Sequence, residues 1–238
     1  AKKIVEGLDF QPYQYVLEVG PGTGVLTKYL LEKPTETYVA EIDTESIEYL
    51  KLHYQKLENK HFTGDFLKIN LSDVFSGEVA IIGNFPYNIS SQILFKIIEN
   101  YQQIPEMVGM FQKEVAERTA AVPRTKDYGI LSVLVQAYYD VKYLFTVHEN
   151  VFNPPPKVKS GVIKLTRNRK EGLEGNEILF KQIVKTGFGQ RRKKLSNALK
   201  SLDIPEVLKS HAFMDKRAEE LSVEDFINFT QEWKAAKN

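Results

Sequence analysis

The sequence predicts an α/β protein with a doubly wound, seven-stranded, mostly parallel sheet, followed by a small C-terminal all-α domain. Three observations predict it. Short β-rich apolar runs alternate with helical patterns through the first two-thirds of the 238 residues, the mark of parallel strands joined by crossover helices. The runs are apolar at nearly every position, as in Val79-Ala-Ile-Ile-Gly83, which suits strands covered on both faces. Beyond Ile178 the strand signals stop and the helical period continues to the end.

In chain order, Ala1–Leu8 has a helical pattern with no charged, apolar and small-residue leader ahead of it, and the chain reads as trimmed at its front. Tyr15–Val19 and Thr37–Ile42 are the first two strands, a third precedes Asp65, and Val79–Gly83 and Met107–Phe111 follow. Val141–Val147 and Gly161–Leu165 are joined through Asn153-Pro-Pro-Pro156, too short and stiff for a crossover helix, so they are predicted to pair antiparallel at an edge. The polar, glycine-containing stretch Arg167–Asn176 divides the chain into domains of residues 1–170 and 171–238.

Composition narrows the chemistry. With 42% hydrophobic and 26% charged residues and no biased tract, the chain is an ordinary globular one. It has no cysteine, which excludes disulfides, thiolate catalysis and thiolate metal sites, and no apolar run nears the roughly 20 residues that span a bilayer. A cytoplasmic protein with no membrane contact is expected. His53, His61, His148 and His211 lack ligand spacing, so no metal is expected. The formal charge of +1 conceals a basic middle: residues 83–202 hold 19 Lys/Arg against 10 Asp/Glu, whereas acids prevail on either side. Such a segment suits a polyanion.

The strongest local signal is Val16-Leu-Glu-Val-Gly20-Pro-Gly22-Thr-Gly24, a strand entering a loop with glycine at every second position. Glycine permits positive φ and close ligand approach. The G-x-G-x-G spacing differs from the G-x-G-x-x-G that seats a pyrophosphate, and shifts the reading from a dinucleotide to a nucleoside without phosphates. Glu41, about 20 residues on, is placed to accept both ribose hydroxyls. Asp65, beside Gly64 and Phe66, is a candidate acceptor for an adenine amine. Glu18 on the strand, Ile42 beside Glu41 and Phe66 beside Asp65 complete the candidate cofactor set.

The deciding motif is Gly83-Asn84-Phe85-Pro86-Tyr87-Asn88-Ile89-Ser90, at a carboxyl strand end where ligands of open α/β sheets bind. Adenine's exocyclic amine is a poor nucleophile because its lone pair is delocalised into the ring. An Asn84 side-chain oxygen and a Pro86 carbonyl can accept its two N–H bonds and bind it in a pyramidal, localised form. Tyr87 offers a ring face for a flipped base, and Phe152, ahead of the proline run, is a candidate for the opposite face. Basic residues cluster twice without an acid, around Lys157 and Lys159 and at Arg191-Arg192-Lys193-Lys194, as phosphate contacts require.

Leu17–Gly24, Asn84–Ser90, Tyr128–Gln136, Phe152–Val158 and Gln190–Lys193 together resemble the KsgA-type small-subunit rRNA adenine dimethyltransferases, over nearly the whole chain. The resemblance implies a Rossmann-like class I methyltransferase domain that binds S-adenosyl-L-methionine, with a helical RNA-binding domain behind it. It implies dimethylation of two adjacent adenosines in the loop of the terminal helix of small-subunit rRNA, late in subunit assembly, by a monomer whose partner is the small ribosomal subunit. By the same resemblance Gly20, Gly22, Glu41, Asp65 and Asn84 hold cofactor, and Asn84, Pro86, Tyr87 and Phe152 hold the target adenine. Family members usually carry a pocket-closing N-terminal segment that is missing before Ala1, and Phe85 stands where leucine is common, a volume-tolerant exchange. Three rival readings are weighed. Large-subunit rRNA methyltransferases of the erythromycin-resistance type share the Asn-x-Pro-Tyr loop, but the helical region favours the small-subunit type. DNA adenine methyltransferases typically begin the loop with aspartate. A non-catalytic binding relative is disfavoured by the intact loop.

Overall fold

The computed structural model describes residues 1–152 and 155–237. The chain divides into two compact units, one of residues 1–117 and 140–167, the other of residues 118–139 and 168–238. The helical unit therefore draws on residues 118–139 as well as on the C-terminal stretch, a long-range association that a linear division at residue 170 does not contain. The chain crosses into that C-terminal stretch after Arg167, where the polar linker begins.

The first unit contains α1 (Lys2–Val5), β1 (Tyr15–Val19), α2 (Thr27–Leu30), β2 (Glu36–Ala40), α3 (Thr44–His53), α4 (Leu71–Val74), β3 (Val79–Asn84), α5 (Ser90–Glu99) and β4 (Glu106–Gln112). There follow α6 (Lys113–Thr119), which runs past the division at Glu117, and two further strands, β5 (Tyr139–Val147) and β6 (Ser160–Arg167). The sheet order is β2-β1-β3-β4-β6-β5. The first four strands are parallel, and β6 runs antiparallel to β4 from Glu106↔Thr166 to Gln112↔Ser160. The two late strands are neighbours at the edge, with β6 on the inner side.

Among the described residues the sheet has six strands, not the expected seven. The third expected strand, ahead of Asp65, amounts to one parallel bridge, Val39↔Phe62. Residues 59–61 there form a 3-10 turn closed by its own side chains, Glu58 N–H donating to His61 Nδ1 at 2.8 Å. This local alternative takes the place of a ladder. The second strand also ends earlier than its apolar run, at Ala40, so Glu41 follows the strand.

Burial accounts for the rest. Val16, Leu17, Ala80, Ile81, Ile82 and Val108 are fully buried, as strands covered on both faces require, and α5 turns Ile93, Leu94 and Ile97 inward. Asp43 caps α3 by accepting from Ser46 N–H at 2.8 Å. At the amino end of β4, buried Glu106 accepts from the Tyr13 hydroxyl and pairs with Lys164 at 2.6 Å, which fixes the sheet end remote from Asn84. Because β1 connects to β2 on one side while β3 lies on the other, the carboxyl ends of β1 and β3 flank a topological switch point, where a ligand crevice opens.

The second unit contains α7 (Ile130–Gln136), α8 (Glu177–Gly189), α9 (Leu195–Ala198) and α10 (Val223–Lys237), with 3-10 turns between α9 and α10. Phe180, Ile183, Val184 and Phe188 of α8 and Phe226, Phe229 and Trp233 of α10 are buried. Ser222 and Asp225 exchange hydrogen bonds at the start of α10, a capping box.

Candidate active site

The glycine loop leaves β1 with Gly20, Gly22 and Gly24 at φ +67°, +54° and +83°, the left-handed region that favours glycine. A side chain at Gly20 or Gly22 would meet nothing within 4 Å, whereas at Gly24 its Cβ would fall 2.5 Å from the Tyr54 ring. The first two glycines therefore open the loop toward a ligand, and the third admits Tyr54. The Tyr54 hydroxyl donates to the Gly24 and Thr23 carbonyls at 3.0 and 3.3 Å and so holds the loop in shape. Tyr54 follows α3, far from the loop in sequence, and no spacing rule points to it.

Beneath the loop lies a cavity of about 820 Å³, bounded by the glycine loop, Glu18, Asn84, Tyr29, Met110 and Phe152, with Phe145, Val147 and Val151 adding apolar wall. Of the candidate residues, Glu18, Gly20, Gly22, Asn84 and Phe152 line it. Glu41 is connected to it through the loop, its carboxylate accepting from Gly22 N–H at 3.2 Å and from Ile42 and Asp43 N–H at 2.8 and 3.0 Å. Ile42 is exposed. Asp65 accepts from Leu67 N–H at 3.0 Å in a tight turn, and Phe66 is buried beside it. Glu41, Ile42, Asp65, Phe66, Pro86 and Tyr87 are not part of this cavity's wall.

Glu18 is a buried carboxyl whose Oε2 accepts from the Thr27 hydroxyl at 2.5 Å. Burial pushes it up to about 7, with the Thr27 bond opposing the rise and the Glu41 charge adding to it. Between pH 4.5, its ordinary value, and about 7 the folded chain keeps a proton that the unfolded chain has released. The stability this contributes is complete below pH 4.5 and is lost as pH rises through 7, an amplitude of about 3 kcal/mol. Glu18→Gln cannot ionise and lacks the decline. Its unfolding free energy relative to the parent chain is therefore expected to climb by about that amount across the window in urea titrations; parallel pH curves would refute the placement.

Asn84 ends β3 with its backbone paired to Met110 and its side chain exposed and without a hydrogen-bond partner among the described residues. Phe85 is buried behind it, and Phe85 N–H donates to Met110 O at 3.1 Å. Pro86 begins a 3-10 turn, its carbonyl accepting from Ile89 N–H and the Ser90 hydroxyl at a long 3.3 Å each. The Tyr87 hydroxyl lies 2.7 Å from Ser160 Oγ. Phe152 packs against the cluster that includes Ile4, Val16 and Met110. Of the proline run after it, Asn153 and Pro154 lie outside the described residues.

A glycine loop and an Asn-x-Pro-Tyr turn thus meet at one switch point, and a profile described as ribosomal RNA adenine dimethylase matches residues 1–235. The chain belongs to the ribosomal RNA adenine dimethylase family. It is 58% identical over 236 residues to a Flavobacterium johnsoniae protein named ribosomal RNA small subunit methyltransferase A, covering 99% of this chain and 90% of that one. A dimethyladenosine transferase from Plasmodium falciparum has a similar structure, with TM-score 0.85 and 26% identity over 99% of this chain and 95% of its own. The 23S rRNA methyltransferase ErmE, at TM-score 0.70 and 24% identity over 98% and 96%, shows the shared fold alone.

In this dimethylase-family chain the four basic residues of the run Arg191–Lys194 are not equivalent. Arg191 donates through Nε to Glu219 at 2.6 Å and through a terminal nitrogen to the Thr125 carbonyl at 2.9 Å. Lys194 forms an exposed pair with Asp215 at 3.0 Å, of the weak kind that salt screens. Arg192 and Lys193 are exposed with no side-chain partner among the described residues, as are Lys157 and Lys159 of the first unit. Sequence reasoning missed Thr27, which meets Glu18 across the glycine loop, Tyr54 and Ser160, whose contacts join positions distant in the chain, and Tyr29, Met110, Phe145 and Val147, which carry no signal beyond apolarity.

Proposed function

We propose that this chain transfers methyl groups from S-adenosyl-L-methionine to N6 of two adjacent adenosines in the terminal helix loop of small-subunit rRNA. The product is N6,N6-dimethyladenosine, formed during ribosome biogenesis in the cytoplasm by a monomer acting on the small subunit. The observation that carries this reading is Asn84: an unpartnered side-chain carbonyl on a rigid strand end, facing the same cavity as the open glycine loop. Among the described residues no helix is long and apolar enough to cross a membrane.

The residues fit the cofactor. Gly20 and Gly22 leave room for a ligand against the backbone, Glu41 stands beside Gly22 as the ribose acceptor, and buried Glu18 favours a cationic group, which would hold it ionised. Asp65 and Phe66 are assigned to the adenine end, with Ile42 beside Glu41. When bound, S-adenosyl-L-methionine supplies an activated methyl group. Asn84 Oδ1 and the Pro86 carbonyl accept the N–H bonds of the target amine, and their dipoles count most as positive charge develops on nitrogen. Tyr87 and Phe152 hold the base between ring faces. Exposed Lys157, Lys159, Arg192 and Lys193 neutralise RNA phosphates.

The direct test is methyl transfer from labelled cofactor to under-methylated small subunits, with large subunits in parallel. Labelling of small subunits is expected, and labelling of large subunits alone would overturn the proposal. The cationic face is tested separately by salt dependence. Replacing Arg192 and Lys193 with alanine is expected to flatten the log–log slope of subunit binding by about 0.7–0.9 per lost contact. Arg191→Ala, which breaks the Glu219 pair, should leave the slope nearly unchanged and lower the melting temperature instead. A slope unmoved by loss of Arg192 and Lys193 would place the RNA elsewhere.

A further inference from the structure

We propose that Ser160 is a positioning residue for methyl transfer, fixing where the Tyr87 ring, against which the target base lies, is held. The inference rests on reading Tyr87 as the base-holding face. Stacking needs only a ring, and phenylalanine would supply one. The Tyr87 hydroxyl, however, is 2.7 Å from Ser160 Oγ, and Ser160 is fully buried at the first position of β6, paired with Gln112 at the carboxyl end of β4. Its neighbour Gly161 is packed so closely that a Cβ there would fall 2.7 Å from Ala116 and 2.8 Å from the Tyr143 hydroxyl. The strand that carries Ser160 is therefore closely packed at the next residue.

The other end of Tyr87 is held as well. The Ser90 hydroxyl is bonded at 3.2 Å to the Tyr87 carbonyl and at 3.3 Å to the Pro86 carbonyl, which fixes the backbone of the turn. With its backbone tied by Ser90 and its phenol oxygen tied by Ser160, the ring cannot swing about its Cα–Cβ bond without breaking a hydrogen bond, so its long axis is held in place. Its place relative to Asn84, three residues back at the paired end of β3, is thereby set. The same contact links the turn after β3 to the strand entered from the Phe152 segment, so both faces offered to the base refer to one sheet. Misplacing a reacting amine costs rate rather than affinity, because the near-attack geometry is lost while the contacts remain.

The test compares Ser160→Ala, Tyr87→Phe, their double variant and Tyr87→Ala in single-turnover methyl transfer on small subunits, with KM and melting temperature recorded for each. Ser160→Ala and Tyr87→Phe are each expected to slow transfer about fivefold, the worth of one hydrogen bond, with KM unchanged. The double variant is expected to be no slower than either single one, since both remove the same contact. A wild-type rate for folded Ser160→Ala, or losses that multiply in the double variant, would overturn the inference. Tyr87→Phe guards against misfolding at the buried serine, because Tyr87 is only half-buried. Should Tyr87→Ala itself transfer at the wild-type rate, the base-holding reading falls and the inference with it, an outcome distinct from failure of Ser160 alone.

Discussion

Asn84→Ala is expected to lower the single-turnover rate of methyl transfer by 10²-fold or more, about 3 kcal/mol in barrier, while the chain stays folded and binds small subunits as before. The side chain is exposed at the end of β3 and without a partner among the described residues, so its removal leaves no buried donor or acceptor unsatisfied. Stability should change by no more than a surface substitution does. The barrier should change because the amide oxygen is available without first breaking a protein hydrogen bond, and because the paired backbone at Asn84↔Met110 keeps it in place. A preorganised acceptor stabilises the charge that develops on the amine nitrogen and does little for the uncharged ground state. Asn84→Asp still offers an acceptor and is expected to retain part of the activity. An Asn84→Ala chain that transfers at nearly the wild-type rate would remove Asn84 from the mechanism.

Gly109→Ala is the second large effect, and it acts on the scaffold of the same turn. Gly109 lies in β4 opposite Gly83 of β3, and the Phe85 ring covers both. A Cβ at Gly109 would overlap the Phe85 ring, and one at Gly83 would sit 2.7 Å from both that ring and the Val19 carbonyl oxygen. Phe85 is buried and packs on Phe111 at 4.8 Å between ring centroids, so moving it disturbs a packed neighbour. The added methyl must displace either the ring or the strand, at about 3 kcal/mol or more, which corresponds to roughly 6–12 °C in melting temperature for a chain of this size. Because Asn84 and Pro86 flank Phe85, transfer should slow as well. Phe85→Leu removes the ring edge that the methyl meets. Adding it to Gly109→Ala is expected to recover at least half of the lost stability, whereas Phe85→Leu alone should cost no more than about 1.5 kcal/mol. Thermal unfolding of the three variants decides it. Wild-type stability for Gly109→Ala, or a double variant no better than the single one, would show that the ring is not the obstacle.

This contact also bears on phenylalanine at a position where the resemblance to the family implies leucine. The exchange is tolerated as a matter of volume only because two facing glycines lack side chains, a condition invisible at residue 85 itself. Arg191 makes a similar point about charge. It stands in an uninterrupted basic run, yet its guanidinium is engaged by Glu219 and by the Thr125 carbonyl, 28 and 66 residues away in sequence.

What the sequence by itself determined is what neighbouring residues decide among themselves: apolar runs that must be covered strands, glycines that must take positive φ, an Asn-Phe-Pro-Tyr turn at a strand end, and through these the family. Each depends on local sterics or on chemistry contained in a few consecutive positions. The tertiary structure alone decided the rest. The third strand shrank to one bridge because Glu58 and His61 close a turn of their own. Tyr54 occupies the space that Gly24 leaves, and Ser160 meets Tyr87 across 73 residues. Glu18 is pushed up to about 7 because the fold removes it from water, with the Glu41 charge adding to the rise. These contacts and fields act through space between segments that folding brings together, and sequence spacing carries no record of them.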